Sequence, residues 1–387
     1  MVDIKEFFTK MVETEASDLY LTVARPPMYR IEGKISSGGD HSFTPDEIRA
    51  LAMSMMNEKQ QREFAETLEM NMAMSLPGVS RFRVNIFQQR GSVGMVIRRI
   101  KADVMSLDEL GLPDILKDIV MSKRGLVLMV GATGSGKSTS LAAMIDHRNA
   151  TEFGHIITIE DPIEFVHRHK NSIVTQREVG FDTHSFQNAL KNTLRQAPDV
   201  ILIGEIRDTE TMEAAITFAE TGHLCLGTLH SNNANQAIER IMNFFQLERH
   251  AQIYLQLSLN LRSIISQRLV PSVDGKRTAA LEILIDTPRI KDLIKKGDVD
   301  TLKEGMEQGV QEGCQTFDQA LFALYKDGKI TLEQALVNAD SANNLRLKIK
   351  LAGLKTDEEP TPPQPVDSDK PKPSVQQVGG AFRLRKT

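Results

Sequence analysis

Residues Gly131, Ala132, Thr133, Gly134, Ser135, Gly136, Lys137 and Ser138 match GxxxxGK[ST] in full, directly after the apolar run Leu126–Val130 and ahead of a helical stretch. A glycine-rich loop between a strand and a helix can wrap its backbone N–H groups around a phosphate, and the helix N-terminus adds partial positive charge. The surrounding texture agrees. The short apolar runs Ile156–Ile159, Val200–Ile203 and Leu224–Leu229 alternate with helical stretches, as expected for strands buried on both faces of a largely parallel sheet. After Asn260 the pattern reads as helical, with one more strand near Ala280–Ile285. An α/β domain is therefore expected over residues 114–355.

Ahead of it, residues 1–100 read as an α+β domain. Ile4, Phe7, Phe8, Met11 and Val12 fall on one helical face. Leu19–Val23 and Met28–Glu32 read as strands around the Arg25-Pro26-Pro27 turn. Thr44-Pro45-Asp46-Glu47 opens a helix with a capping box. After Gly78, Arg81 to Ile86 alternates strictly, with Arg81, Arg83 and Asn85 on one face and Phe82, Val84 and Ile86 on the other. A further strand is expected near Gly94–Ile100, then a connector over 101–113. The last 32 residues, 356–387, hold six of the 15 prolines and few apolar residues, and a disordered tail is expected there.

The loop predicts ATP as ligand, bound by Gly131 to Ser138 and Thr139, with Lys137 on the β- and γ-phosphates and Ser138 on Mg²⁺. Hydrolysis needs further groups. Glu205 ends the run Asp199–Glu205 where a strand's carboxyl end meets the ligand, and so is read as supporting the metal. Glu160, Asp161 and Glu164 crowd three carboxylates just after another buried strand, a cluster that calls for a cation to balance it. His230 follows a buried strand at its phosphate-side end, and His223 precedes the same strand.

Bulk properties exclude several classes. The net charge of −4 and the absence of aromatic–basic clusters argue against nucleic acid as partner. No apolar run nears the roughly 18 residues of a membrane span, and the N-terminus lacks a signal-peptide pattern, so a cytoplasmic location is expected. Cys225 and Cys314 are too few for a disulfide framework or a four-cysteine zinc site, and both are read as small buried apolar residues.

The segments GATGSGKS, TIEDPIEF, DVILIGEIRD and AETGHLCLGTLH occur in this order, with SDLYLTVARPPMYRIEG and GVSRFRVNIF in the first domain. Together they resemble the type II/IV secretion ATPase superfamily, specifically its PilT/PilU branch of type IV pilus retraction motors, over about residues 1–350. The resemblance implies a PAS-like N-terminal domain, a RecA-like P-loop ATPase domain and a homo-hexameric ring driving twitching motility. It implies Glu164 as the water-activating base, Glu205 as the magnesium-supporting residue and His230 as a γ-phosphate sensor. Arg81, Arg83 and Arg124 match basic positions within reach of nucleotide or a neighbouring subunit. Implied partners are a PilT-like retraction ATPase and the inner-membrane platform protein of the pilus machine. The stretch Gln267–Lys276 corresponds to the zinc loop of extension and secretion ATPases but holds no cysteine, so no zinc is expected and retraction is favoured. Pro288–Lys296 keeps the spacing but not the charges of the AIRNLIRE-type motif of PilT-like motors, which together with the tail resembles the accessory, PilU-type ATPases. The alternatives are a regulatory subunit acting only beside a PilT-like motor, and a pilus-extension or secretion ATPase.

Overall fold

The computed structural model describes residues 3–76, 80–100 and 103–355; Gly78, the start of the connector at Lys101 and the tail over 356–387 lie outside the described residues. The N-terminal helix Ile4–Glu13 forms as its apolar spacing requires, burying Ile4, Phe7, Phe8 and Met11. Strands β1 (Asp18–Leu21), β2 (Met28–Ile31), β3 (Lys34–Ser37), β4 (Glu69–Leu76), β5 (Ser80–Gln89) and β6 (Ser92–Ile100) make one antiparallel sheet in the order β3-β2-β1-β6-β5-β4. The alternation in β5 decides how this sheet is used. Phe82, Val84 and Ile86 are fully buried in a core shared with the helices, while Arg81, Arg83 and Asn85 occupy the opposite, half-buried face. Phe8 stacks on Phe82 with ring centroids 4.1 Å apart. The helix Pro45–Met55 starts with the expected reciprocal cap: Glu47 N–H donates to Thr44 Oγ1 at 3.3 Å, and Thr44 N–H donates to Glu47 Oε2 at 2.7 Å.

The second sheet contains β7 (Gly125–Val130), β8 (His155–Glu160), β9 (Ile173–Glu178), β10 (Val200–Ile203), β11 (Leu224–Leu229), β12 (Leu261–Pro271) and β13 (Arg277–Ile285). Its order is β13-β12-β7-β11-β10-β8-β9, parallel except for the β12–β13 hairpin. Every residue of β7, β10 and β11 is buried, so both faces of the sheet are covered. The connector expected over 101–113 is less free than its composition suggests, since Leu107 and Leu112 are buried in this second core.

One expectation fails here. The stretch directly after Asn260 is not helical but forms β12, which lies parallel to β7 and pairs with β13; β13 falls where the strand near Ala280–Ile285 is expected, and from Pro288 to Leu351 the chain is largely helical as expected. Leu261, Ile264, Ile265 and Leu269 mimic helical spacing because Ser263 and Ser266, both fully buried, sit at inward positions of the strand. Their hydroxyls are satisfied by Leu284 O at 2.8 Å and Glu282 Oε1 at 2.9 Å, which offsets the cost of burying them. The polar edge strand β9 also escaped the reading. A third, smaller core joins the far end of the hairpin to the C-terminal helices through Val270, Ala280, Phe317 and Leu321.

The Phe8–Phe82 stack yields a prediction. Phe82→Ala should cost the first domain about 3–5 kcal/mol in urea denaturation. A loss below about 1 kcal/mol would mean that this ring pair is not the centre of that core.

Candidate active site

Four loops meet at the carboxyl edge of the parallel strands: Gly131–Gly136 after β7, Asp161–Glu164 after β8, Gly204–Glu205 after β10 and His230 after β11. Together with the start of the helix Lys137–Thr151 they line one cleft. The glycine loop has a backbone that glycine adopts freely and other residues do not. Gly131, Gly134 and Gly136 all have positive φ, at 152°, 77° and 87°. A Cβ on Gly131 would lie 2.6 Å from Gln267 O, and one on Gly136 would lie 2.7 Å from Gln267 Nε2. Side chains are excluded on both counts.

Gln267, from the missed strand β12, is the brace beneath this loop. It is buried, its Nε2 donates to Ser135 O at 2.9 Å, and its Oε1 accepts from Ser140 Oγ at 2.7 Å. Lys137 Nζ donates to Gly131 O at 2.7 Å and to Ala132 O at 3.0 Å, so the ammonium sits at the mouth of the cradle. Burial holds its pKa below the usual lysine range, and the charges of Glu205 and Glu164 oppose that shift. Both acids are thus close enough to act on the same cation.

Glu205 Oε1 lies 3.1 Å from His230 Nε2, and its Oε2 accepts from Arg207 Nε at 2.8 Å. Arg207 also lies 3.9 Å from Asp161, so one guanidinium ties two acidic loops together. The crowding of Glu160, Asp161 and Glu164 is relieved by separation of roles. Glu160 is held under the cleft, accepting from Thr158 Oγ1 at 2.6 Å and Gln176 Nε2 at 3.2 Å, and burial pushes its carboxyl up. Glu164 is exposed to the cleft and faces the first domain, where its charge adds to the rise that Asp18 chiefly causes in the Arg98 guanidinium.

Not all the expected residues gather here. Arg124 precedes β7 at the opposite edge of the sheet, beside Glu220, Arg262 and Asp286. The six residues of β7 separate it from the loop by roughly 20 Å at about 3.3 Å per residue, so it does not serve the phosphate site of its own chain. His223 lies on that same far edge, with Nδ1 3.1 Å from Thr221 Oγ1 and 3.3 Å from Phe218 O. Arg81 and Arg83 lie on the face of β5 turned to the second domain, and Arg81 Nη2 lies 3.5 Å from Glu178 Oε2. Cys225 and Cys314 are buried, as their composition suggested.

The glycine loop and Lys137 suit the phosphates of a nucleotide. Among the described residues no three His, Cys, Asp or Glu side chains form a metal nest of their own. Mg²⁺ commonly arrives with substrate phosphates and needs only one or two protein ligands, a role open to Ser138 with Glu205 behind it.

Residues 2–346 match the family described as type II/IV secretion system protein. The chain belongs to that family. It is 56% identical over 351 residues to the type IV pilus ATPase PilU of Pseudomonas aeruginosa, covering 90% of this chain and 92% of that one. It is 43% identical over 343 residues to the type IV pilus retraction ATPase PilT of the same organism, covering 89% of this chain and all of that one. Among solved structures, the pilus retraction motor PilT with bound ADP superposes with a TM-score of 0.82 at 44% identity, over 88% of this chain and 98% of that chain. The fold of this family member is accordingly a RecA-like ATPase domain preceded by an N-terminal α+β domain.

Gln267, Arg207, Arg98 and His167 were not singled out from sequence. Arg207 stood inside a quoted motif, two residues after Glu205; the others carry no local signal. His167 lines the cleft, is buried with its Nδ1 unpartnered, and is pushed down to about 4 by burial, with Asp146 and Lys170 nearby in opposite senses. Its folded pKa lies below its unfolded value, so this group favours unfolding as pH falls from about 6.5 towards 4 and has no effect above that window. His167→Phe should therefore flatten the acid branch of the stability curve, by up to about 3 kcal/mol at pH 4 relative to pH 7, in paired urea titrations. Parallel curves for both proteins would contradict the assignment. Gln267→Ala should weaken nucleotide binding about tenfold by calorimetry, since it strips two buried partners from the loop and its helix.

Proposed function

We propose that this chain is an ATP-hydrolysing motor of type IV pilus retraction, of the PilU type, that turns ATP and water into ADP and phosphate. The observation that carries the reading is convergence: Lys137, Glu164, Glu205 and His230 come from four separate loops to one cleft that faces the basic side of the first domain. The loop N–H groups of Gly131 to Ser138, continued by Thr139, and the Lys137 ammonium bind the β- and γ-phosphates. Glu164, exposed to the cleft, accepts the proton of the attacking water. His230, 3.1 Å from Glu205, reports on the γ-phosphate. Ser138 would hold Mg²⁺ with Glu205 in support, and the ion would supply charge neutralisation at the phosphates. Arg81 and Arg83 supply guanidinium charge from the first domain, and Arg124 offers its charge to a neighbouring subunit.

The units we assign are 1–100, a connector over 101–113, 114–355 and the tail over 356–387. Contacts to γ-phosphate exist before hydrolysis and are lost afterwards, which is the differential interaction that a rotation of the first domain requires. A homo-hexameric ring would transmit such steps to the inner-membrane platform protein, beside a PilT-like ATPase, from the cytoplasmic side. No helix among the described residues is long and apolar enough to cross a membrane, which suits a peripheral position.

Glu164→Gln should bind ATP within about threefold of wild type while losing hydrolysis by at least about 100-fold, as expected for loss of a general base. Lys137→Ala should lose ATP binding itself. Normal turnover in the Glu164 variant would remove that residue from the role of base.

A further inference from the structure

Glu178 ends β9 with its side chain 1% exposed, at the seam between the two sheets. Its Oε2 accepts from the backbone N–H of Ile163 at 3.4 Å and lies 3.5 Å from Arg81 Nη2 of the first domain. Its Oε1 and Arg81 Nε are both buried without a partner. Burial raises its pKa, while Arg81 and then Arg83 oppose that rise. The rest of the loop is tied down: Glu178 N–H donates to Asp182 Oδ2 at 2.9 Å, and Phe181 packs against the core of the first domain.

A buried carboxylate is tolerated only while a counter-charge and hydrogen bonds compensate it. Here the counter-charge comes from one domain and the hydrogen bond from the other. Ile163 is the residue immediately before Glu164, so the carboxylate that feels Arg81 also holds the backbone that aims Glu164. When Arg81 moves away with the first domain, Glu178 must rehydrate or turn to another donor, and the Ile163 N–H is released.

We propose that Glu178 is a positioning residue that couples the approach of the first domain, through Arg81, to the placement of Glu164. The coupling makes hydrolysis conditional on domain angle: the base is aligned when Arg81 is docked and loosened when it is not. It rests on the reading of Glu164 as the base.

Two measurements on the full-length chain test it. The first needs no turnover: amide hydrogen exchange of the segment holding Ile163 in nucleotide-free protein. Arg81→Gln, a change at a part-buried position of the other domain, should speed that exchange by at least about fivefold, with Arg81→Lys within about twofold of wild type. The second is steady-state kinetics of Glu178→Gln, which keeps the side-chain shape and removes the charge. Its kcat should fall about tenfold with KM within about twofold, the pattern of a misplaced catalytic group. Unchanged exchange at Ile163 in Arg81→Gln overturns the proposal whatever the kinetics, and so does a Glu178→Gln enzyme with normal kcat. Should Glu178→Gln fail to fold in a melting experiment, the exchange result decides alone. A wild-type chain without any ATPase activity would sink the reading of Glu164 instead, and the exchange result would still judge the coupling.

Discussion

A parallel sheet buried on both faces leaves its strands nowhere to place polar chemistry except at their ends. In this chain β7, β8, β10 and β11 all present their carboxyl ends to the same edge, so four loops are forced into one cleft. That constraint brings Lys137, Glu164, Glu205 and His230 together from nearly one hundred residues of sequence. It also separates them from Arg124 and His223, which lie at the opposite ends of β7 and β11. Which edge a residue occupies is thus a stronger guide to its role than its proximity in sequence to a motif.

The cleft is balanced by charges that come from different places. Lys137 and Arg207 answer Glu205, Arg207 also answers Asp161, and Arg98 of the first domain feels Glu164. Replacing or adding phosphates therefore changes more than one pair. Because Arg81, Arg83 and Arg98 sit on the first domain, the electrostatic cost of an empty or filled site depends on how near that domain lies. A motor needs this dependence, since ligand binding can shift a conformational equilibrium only through contacts that differ between its states.

Much of this was legible in the sequence because its signals are local. The glycine loop, the apolar runs, the strict alternation of Arg81 to Ile86 and the Thr44–Glu47 cap each follow from residues a few positions apart. What stayed hidden is long-range. Gln267 lies 127 residues from Ser140, and only the parallel pairing of β12 with β7 brings it under the loop. The strand that carries it hid behind Ser263 and Ser266, which are polar by type but buried and paired by structure. Glu178 looks like any acid in a polar edge strand until Arg81 and Ile163 converge on it from either side. His167, one histidine among nine, is distinguished only by its burial and its unpartnered nitrogen.

Retraction, as opposed to extension or a purely structural role, is the claim on which the biological meaning of the site turns. The most direct measurement is a strain lacking this chain, complemented with either the wild-type or the Glu164→Gln form and scored for surface pili and twitching together. The account predicts that pili remain on the deletion strain while twitching is lost, and that only the wild-type form restores movement. Loss of surface pili in the deletion strain, or full rescue by the Glu164→Gln form, would contradict it.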